Sequence, residues 1–426
     1  MSSEPTPLHG AFQDLLPHLQ RSIREEGYTQ PTPVQEQAIP ALLDGRDLLA
    51  SAPTGTGKTA AFTLPILQYL SQNRQKRIER SPRVLVLAPT RELAAQIGES
   101  VLTYGRHQKL SHVVIHGGVG YGPQVSRLRR GPEILIATPG RLLDLMQRGS
   151  VRLDHVEIFV LDEVDRMLDM GFIHDIRRVI AKLPEKRQTL FLSATLPGAV
   201  AELARSLVHD PVRITVAPEQ PTVEKISQKV LFVEKPDKDA LLATLMRDPA
   251  LDRVIIFTQM KHTANRVTKK LLAKGVEAVA IHGNKSQNAR TKALTGFKRG
   301  HVRVLVATDV AARGLDIDGV THVINYDLPQ ESETYVHRIG RTARAGSEGD
   351  AISFCSSEEL PGLREIERAI KKPVPVDQDH PFHSERATRR LPPKKRSKPS
   401  GSPPTWGKSR QRGANGRSRR RPAFSR

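Results

Sequence analysis

The stretch Ala52-Pro53-Thr54-Gly55-Thr56-Gly57-Lys58-Thr59 gathers a lysine, three threonines and two glycines into eight residues. That is phosphate-binding chemistry. The apolar run at 47–50 reads as a buried strand, and Thr59-Ala60-Ala61-Phe62 opens a helical pattern. A loop between them aims unpaired backbone N–H groups and the positive end of a helix dipole at an anion. Gly55 and Gly57 allow backbone angles and close approach that a Cβ would block. Lys58 can reach the β- and γ-phosphates of a triphosphate, and Thr59 can ligate Mg²⁺. The plainer reading is a Gly-rich turn, since Ala52 stands where the general phosphate-loop pattern has its first Gly.

A second chemical pair is Asp162-Glu163, at the end of the apolar run Ile158-Phe159-Val160-Leu161. Asp162 can hold Mg²⁺, largely through water, while Glu163 can orient and deprotonate an attacking water; alone, such a pair after a strand reads equally as a helix cap. Adjacent strand residues point to opposite sides, so a turn there must bring both into one cleft. Upstream, Gln35 follows the Pro-stiffened turn Tyr28-Thr29-Gln30-Pro31-Thr32-Pro33 and can offer a donor and an acceptor to a purine edge, although a plain turn is the favoured reading of this stretch alone.

Positioning these groups requires a scaffold. Short Val/Ile/Leu-rich runs at 83–88, 134–137, 158–161 and 189–192 alternate with helical stretches. This predicts a parallel sheet with helices on both faces, binding ligands at the strands' carboxyl ends. The segment 217–222 (APEQPT) reads as a linker. Strand-like runs then resume at 254–257, 278–281, 302–306, 323–325 and 351–354, with helices over 263–274 and 289–298. The prediction is an α/β chain of two domains, 1–216 and 223–371, followed by a disordered Lys/Arg-rich tail over 372–426.

Net charge is +21, yet the fifteen Lys and Arg from Arg386 onward, with no Asp or Glu among them, leave +21 − 15 = +6 for residues 1–385. Such a tail suits a polyanion, nucleic acid first. The single cysteine, Cys355, excludes an internal disulfide framework and fits a reducing compartment. No apolar run is long enough to span a membrane and no signal pattern opens the chain. The expectation is a cytoplasmic protein, with residues 392–398 serving nuclear import only in a eukaryote.

Together these residues resemble the DEAD-box ATP-dependent RNA helicases of superfamily 2, over about 12–354. Phe12 and 27–35 resemble the Q motif, 52–59 motif I, Pro89-Thr90-Arg91-Glu92-Leu93-Ala94 motif Ia, Gly117-Gly118 the glycine pair, and Thr138-Pro139-Gly140-Arg141 motif Ib. Asp162-Glu163-Val164-Asp165 stands at the DEAD position, and Ser193-Ala194-Thr195 follows. Ile255-Ile256-Phe257-Thr258, then His282-Gly283 with Gln287 and Arg290, continue the order. Residues 307–316 resemble motif V and 337–344 motif VI.

The resemblance implies two RecA-like domains in tandem, with ATP and Mg²⁺ as cofactors and RNA as partner. It implies that Phe12 stacks near the adenine, Gln35 bonds it, and Asp316 meets the ribose. Arg91, Gly118, Thr138, Arg141, Arg290, Thr308 and Arg313 would meet RNA. Ser193, Thr195, Asp165 and His337 would couple hydrolysis to strand separation, and Arg341 and Arg344 would act as arginine fingers. RNA laid across both domains would favour closure and so hydrolysis, with little sequence specificity. A monomer acting on RNA or RNA–protein complexes is expected, with ribosome assembly one open setting. An ATP-gated RNA clamp with little turnover is the alternative, resting on Val164 in place of Ala. A DNA translocase is a third reading, against which the Phe12/Gln35 element stands. Pro53 and Ala343 also depart from the family's pattern.

Overall fold

A computed structural model describes residues 7–53, 55–216, 226–309, 319–343 and 349–388. Thr54, the linker 217–222, Arg313, Asp316, Arg344 and the tail from 389 lie outside them.

The first sheet is all parallel, with order β3-β4-β2-β5-β6-β1-β7. Its strands are β1 (Leu48–Ser51), β2 (Val84–Leu87), β3 (His112–Ile115), β4 (Ile134–Ala137), β5 (Ile158–Leu161), β6 (Gln188–Ser193) and β7 (Val212–Thr215). Alternation along each strand feeds two cores. Leu48 and Ala50 of β1 pack with Leu19, Ile39 and Phe62 on one face, while Leu49 joins Phe159, Leu161 and Phe191 on the other. Helices therefore cover both faces, which is what continuous apolar strands require.

The second sheet has order β10-β11-β9-β12-β13-β8. It comprises β8 (Ile226–Phe232), β9 (Val254–Thr258), β10 (Ala278–Ile281), β11 (Val304–Thr308), β12 (His322–Asn325) and β13 (Gly349–Cys355). Val254 and Ile256 face one core, Ile255 and Phe257 another. Among the described residues no helix is long and apolar enough to cross a membrane.

The predicted tail boundary at 372 moves outward. Val376 bridges Val230, the Val230 N–H donates to the Pro375 carbonyl at 2.9 Å, and the Asp377 N–H donates to the Val230 carbonyl at 2.9 Å. Lys229 pairs with Asp377 at 3.0 Å, and Phe382 packs on the core. Pro375 lacks an N–H donor, yet its carbonyl serves the edge strand β8. The short helix Glu385–Thr388 then ends the described chain.

Strand order explains how the motifs meet. The glycine pair, motif Ib and motif Ia follow β3, β4 and β2, which are adjacent, and the Asp162, Ser193 and Ala52 motifs follow β5, β6 and β1, also adjacent. One carboxyl edge thus carries motifs Ia and Ib and the glycine pair on one half, and the Ala52, Asp162 and Ser193 motifs on the other.

Candidate nucleotide and nucleic-acid site

The loop at 52–59 is held from outside by the Gln35 turn. Thr32 caps the helix Pro33–Leu43 in a reciprocal box with Gln35. The Thr32 N–H donates to Gln35 Oε1 at 3.0 Å, Gln35 Nε2 donates to the Gly57 carbonyl at 3.2 Å, and Thr32 Oγ1 donates to the Thr56 carbonyl at 2.8 Å. Gly57 has φ +88°, and a Cβ there would collide with Gln35 Nε2. Gln35 therefore clamps the phosphate loop first, with one amide hydrogen and one oxygen lone pair left for a base. Gly55 also has positive φ. Lys58, at the start of the helix Lys58–Gln72, folds its Nζ back on the Ala52 and Pro53 carbonyls. Those are interactions a phosphate would replace. Thr59 is half-buried on the same first turn.

Phe12 corrects the expectation of a stacking ring. It is 3% exposed, inside the core with Leu15 and Leu19. Its position in the short turn Gly10–Phe12 makes it a packing anchor. Tyr28, beside the Gln35 turn, is 53% exposed and is the ring a base could reach. The sequence reading passed over it, although an aromatic bordering a Pro-stiffened turn was a visible signal.

Asp162 and Glu163 are both buried. The turn they need is supplied by Glu163, whose φ of 52° and ψ of 55° are left-handed at the entry to the helix Val164–Asp169. A non-Gly residue rarely sits there, and such strain clusters at functional sites. Val164 is fully buried, with Leu161 and Met167 in the same apolar core. Burial first, then the neighbouring Glu163 charge, push Asp162 up to about 7, with Lys58 opposing. Among the described residues no three His, Cys, Asp or Glu side chains form a metal cage.

Arg166 is the group the sequence reading missed. Its Nη1 donates to Glu163 Oε2 at 2.7 Å, with side chains 9% and 8% exposed. It lies three residues on along a helix, the spacing that makes such pairs meet. This pairing leaves Oε1 as the carboxylate oxygen turned to other work.

The buried Asp162 charge has a stability consequence. Its folded-state pKa near 7 exceeds the unfolded value, so the folded chain binds more protons between about pH 4 and 7. Stability should therefore fall as pH rises through that window, and the cost is complete above 7. Without Mg²⁺ or nucleotide, Asp162→Asn should stabilise the protein at pH 8 by on the order of 1–3 kcal/mol, with a clearly smaller gain at pH 5 that vanishes only below about pH 4. Thermal melts at the two pH values check this. A gain independent of pH would contradict it.

Asp165 and the 193–195 segment form one network. Asp165 Oδ2 accepts from the Ala194 N–H at 3.1 Å, the Thr195 N–H at 2.8 Å and Thr195 Oγ1 at 3.0 Å. Ser193 Oγ donates to the Thr195 carbonyl at 2.7 Å and accepts from the Asp165 N–H at 3.2 Å. The Ala52 N–H donates to the Ser193 carbonyl at 3.0 Å, tying in the phosphate loop. Ser193 and Thr195 thus serve this network.

On the other half of the edge, Gly118 has φ +79°, and a Cβ there would strike the Arg91 guanidinium. The glycine pair makes room for Arg91. Its Nη1 donates to Gln287 Oε1 at 3.3 Å, Gln287 Nε2 donates to Glu92 Oε1 at 3.3 Å, and Arg290 pairs with Glu92 at 2.9 Å. Burial, then Arg290, lower the Arg91 pKa, with Arg141 acting the same way and Glu92 opposing. Converging guanidinium groups are what a phosphate neutralises. Arg141 donates through both Nη atoms to the Val119 carbonyl at 3.1 Å, bracing the glycine-pair loop. Thr138 stands at the N-cap of the helix Pro139–Gln147 but accepts no capping bond. Thr308 ends β11, 8% exposed.

Two arginines of the 337–344 segment differ sharply. Arg338 is 1% exposed and donates to Asp309 at 2.6 and 2.8 Å, to Asn325 Oδ1 at 3.1 Å and to the Asp327 carbonyl at 2.6 Å. It is a strut. Arg341 is 8% exposed, with Nε donating to the His337 carbonyl at 3.3 Å. His337 itself is exposed on the helix Ser332–Ile339. Ala343 has φ +55°, a conformation in which an L-residue is strained by about 1 kcal/mol or more. Ala343→Gly should therefore leave melting unchanged or raise it, where an ordinary Ala→Gly costs about 0.5–1 kcal/mol. A drop of several degrees by calorimetry would contradict this.

Residues 32–203 match the DEAD/DEAH box helicase family, and 237–346 match the helicase conserved C-terminal domain. The ATP-dependent RNA helicase CshA of Listeria monocytogenes is 43% identical over 354 residues, covering 83% of this chain and 67% of that protein. The DEAD-box ATP-dependent RNA helicase CshA of Geobacillus kaustophilus is 40% identical, covering 85% and 77%. Among solved structures, S. cerevisiae Dbp5 bound to RNA and ADP BeF3 superposes with TM-score 0.77 at 33% identity, over 87% of this chain and 96% of that one. Mss116p bound to ssRNA and AMP-PNP gives 0.78 at 30%, over 90% and 82%. The chain belongs to the DEAD-box family of ATP-dependent RNA helicases. It spans about two thirds of the length of the Listeria relative.

Proposed function

We propose that this chain hydrolyses ATP when RNA draws its two RecA-like domains together, and that closure opens short duplexes or remodels RNA–protein complexes. The Arg91–Glu92–Gln287–Arg290 cluster carries the reading, because it joins RNA-type elements of the two sheets in one set of hydrogen bonds. A phosphodiester backbone entering there meets guanidinium groups of both domains. That rewards closure without reading sequence.

The Lys58 ammonium and the helix N-terminus receive the β- and γ-phosphates. Glu163, oriented by Arg166, takes a proton from the attacking water through its free oxygen. Arg341 and Arg344 bring positive charge from the second domain. Asp162 and Thr59 would hold Mg²⁺, which when bound would neutralise charge on the phosphate oxygens. Gln35 senses the purine while it fixes the loop, and Tyr28 covers the base. The Asp165–Ser193–Thr195 network transmits changes at the phosphates to the adjoining RNA elements. Asp316, Thr308 and Arg313 complete the contacts, with Asp316 at the ribose. The site of action is the cytoplasm, and the chain works as a monomer.

The clamp reading rested on Val164, and a side chain turned into the core gives it no support. Steady-state ATPase with single-stranded RNA, with DNA and with neither tests the proposal. Stimulation by RNA alone is expected; equal stimulation by DNA would replace it with a DNA translocase. Truncation after Thr388, which spares the β8 contacts, should leave basal ATPase unchanged while weakening RNA binding and flattening its salt dependence. An unchanged slope from anisotropy titrations would remove the tail from the RNA footprint.

A further inference from the structure

Outside both halves of this site, the second domain holds a groove of about 890 Å³ that no step above uses. Its floor is β10, which pairs only with β11 and so forms one margin of the sheet. Its walls are the helices Lys261–Leu272 and Gln287–Lys298. Val279, Ala289 and Val302 give it an apolar lining. Thr268 borders it, and Leu272, one turn further along the same face of that helix, is 54% exposed.

The charge is of one sign. Neither walling helix contains an Asp or Glu. Lys285, Lys292 and Arg299 line the groove, and among the described residues no carboxylate pairs with them. Lys292 and Arg299 are seven residues apart, two turns along the same face of their helix. Arg290 on that helix turns to Glu92 in the RNA cleft, and Lys292 lies roughly 200° further round. One helix thus presents one face to the RNA elements and another to this groove.

We infer that the groove is a docking site for an acidic, extended peptide of a partner protein, with aliphatic side chains seated between Leu272 and Val279. Apolar floors with charged rims are the anatomy of peptide-binding surfaces, and opposite charge speeds and selects the encounter. The chain's own tail does not fit, because it carries no acid from Arg386 onward. RNA is disfavoured, since no Phe, Tyr or Trp lines the groove as a stacking platform.

The test uses the full chain and a fluorescein-labelled peptide in which Asp and Glu alternate with Leu and Val. Fluorescence anisotropy compares wild type with Lys292→Glu/Arg299→Glu and, separately, with Leu272→Ser. Each variant should weaken peptide binding by about tenfold or more, with melting unchanged and RNA-stimulated ATPase within about twofold. Failure of the wild type to bind the peptide overturns the inference, as does equal affinity in the variants. A loss of RNA affinity in the charge-reversed protein would assign the groove to RNA, and that outcome also overturns it.

Discussion

Glu163→Gln should stop turnover while leaving ATP and RNA bound. The substitution keeps size and hydrogen bonding but removes the group that accepts the water's proton. A positioned general base is worth about 10²–10⁴ in rate. The Gln side chain can still meet Arg166, so the left-handed backbone at 163 and the Val164–Asp169 helix keep their support. The fold should therefore survive, and the loss should fall on kcat with KM for ATP little changed. Rapid-quench measurement of hydrolysis, alongside nucleotide binding, checks both halves. Normal turnover in this variant would mean that the base lies elsewhere.

Arg341→Ala should lower kcat by about 10³-fold or more, the scale of an arginine finger, with RNA affinity retained. The contrast with Arg338, three residues earlier, makes this specific. Arg338 is enclosed by Asp309, Asn325 and the Asp327 carbonyl, so its removal leaves buried partners unpaired and should unfold the second domain. Arg341 should instead give a folded protein with a catalytic defect. Circular dichroism melts and RNA-stimulated ATPase on the two variants separate the roles. A merely destabilised Arg341→Ala with normal kcat would remove it from the chemistry.

The interior of both sheets was legible because fully buried strands read as continuous apolar runs. The predicted segments at 83–88, 134–137, 158–161 and 254–257 coincide with β2, β4, β5 and β9 to within two residues. What escaped were margins. β3 (HVVI), β7 (VRIT) and β8 (ISQKVLF) each border a sheet or lie under a strap, and alternate buried with exposed positions. Short alternating segments carry too little periodicity to stand out. The strap at 373–388 was hidden for a related reason. Its prolines and polar residues read as tail composition, while its hold on β8 is made by main-chain groups that composition does not reveal.

The site was legible wherever residue type alone dictates chemistry, as at Lys58, Asp162 and Glu163. It was not legible where geometry decides. Phe12 could not be told from a stacking ring until its burial was known. Arg166 looked like any surface arginine on a helix, and only its pairing with Glu163 marks it. The left-handed angles of Glu163 and Ala343 have no signature in side chains that ordinarily avoid them.

The central claim is that neither half of this site is competent alone. Single-turnover hydrolysis of radiolabelled ATP by pure protein, with and without single-stranded RNA, tests it most directly. On the proposed mechanism, in which closure brings arginines of the second domain to the phosphates, RNA should accelerate the chemical step by about 10²-fold or more. The same single-turnover rate with and without RNA would contradict it.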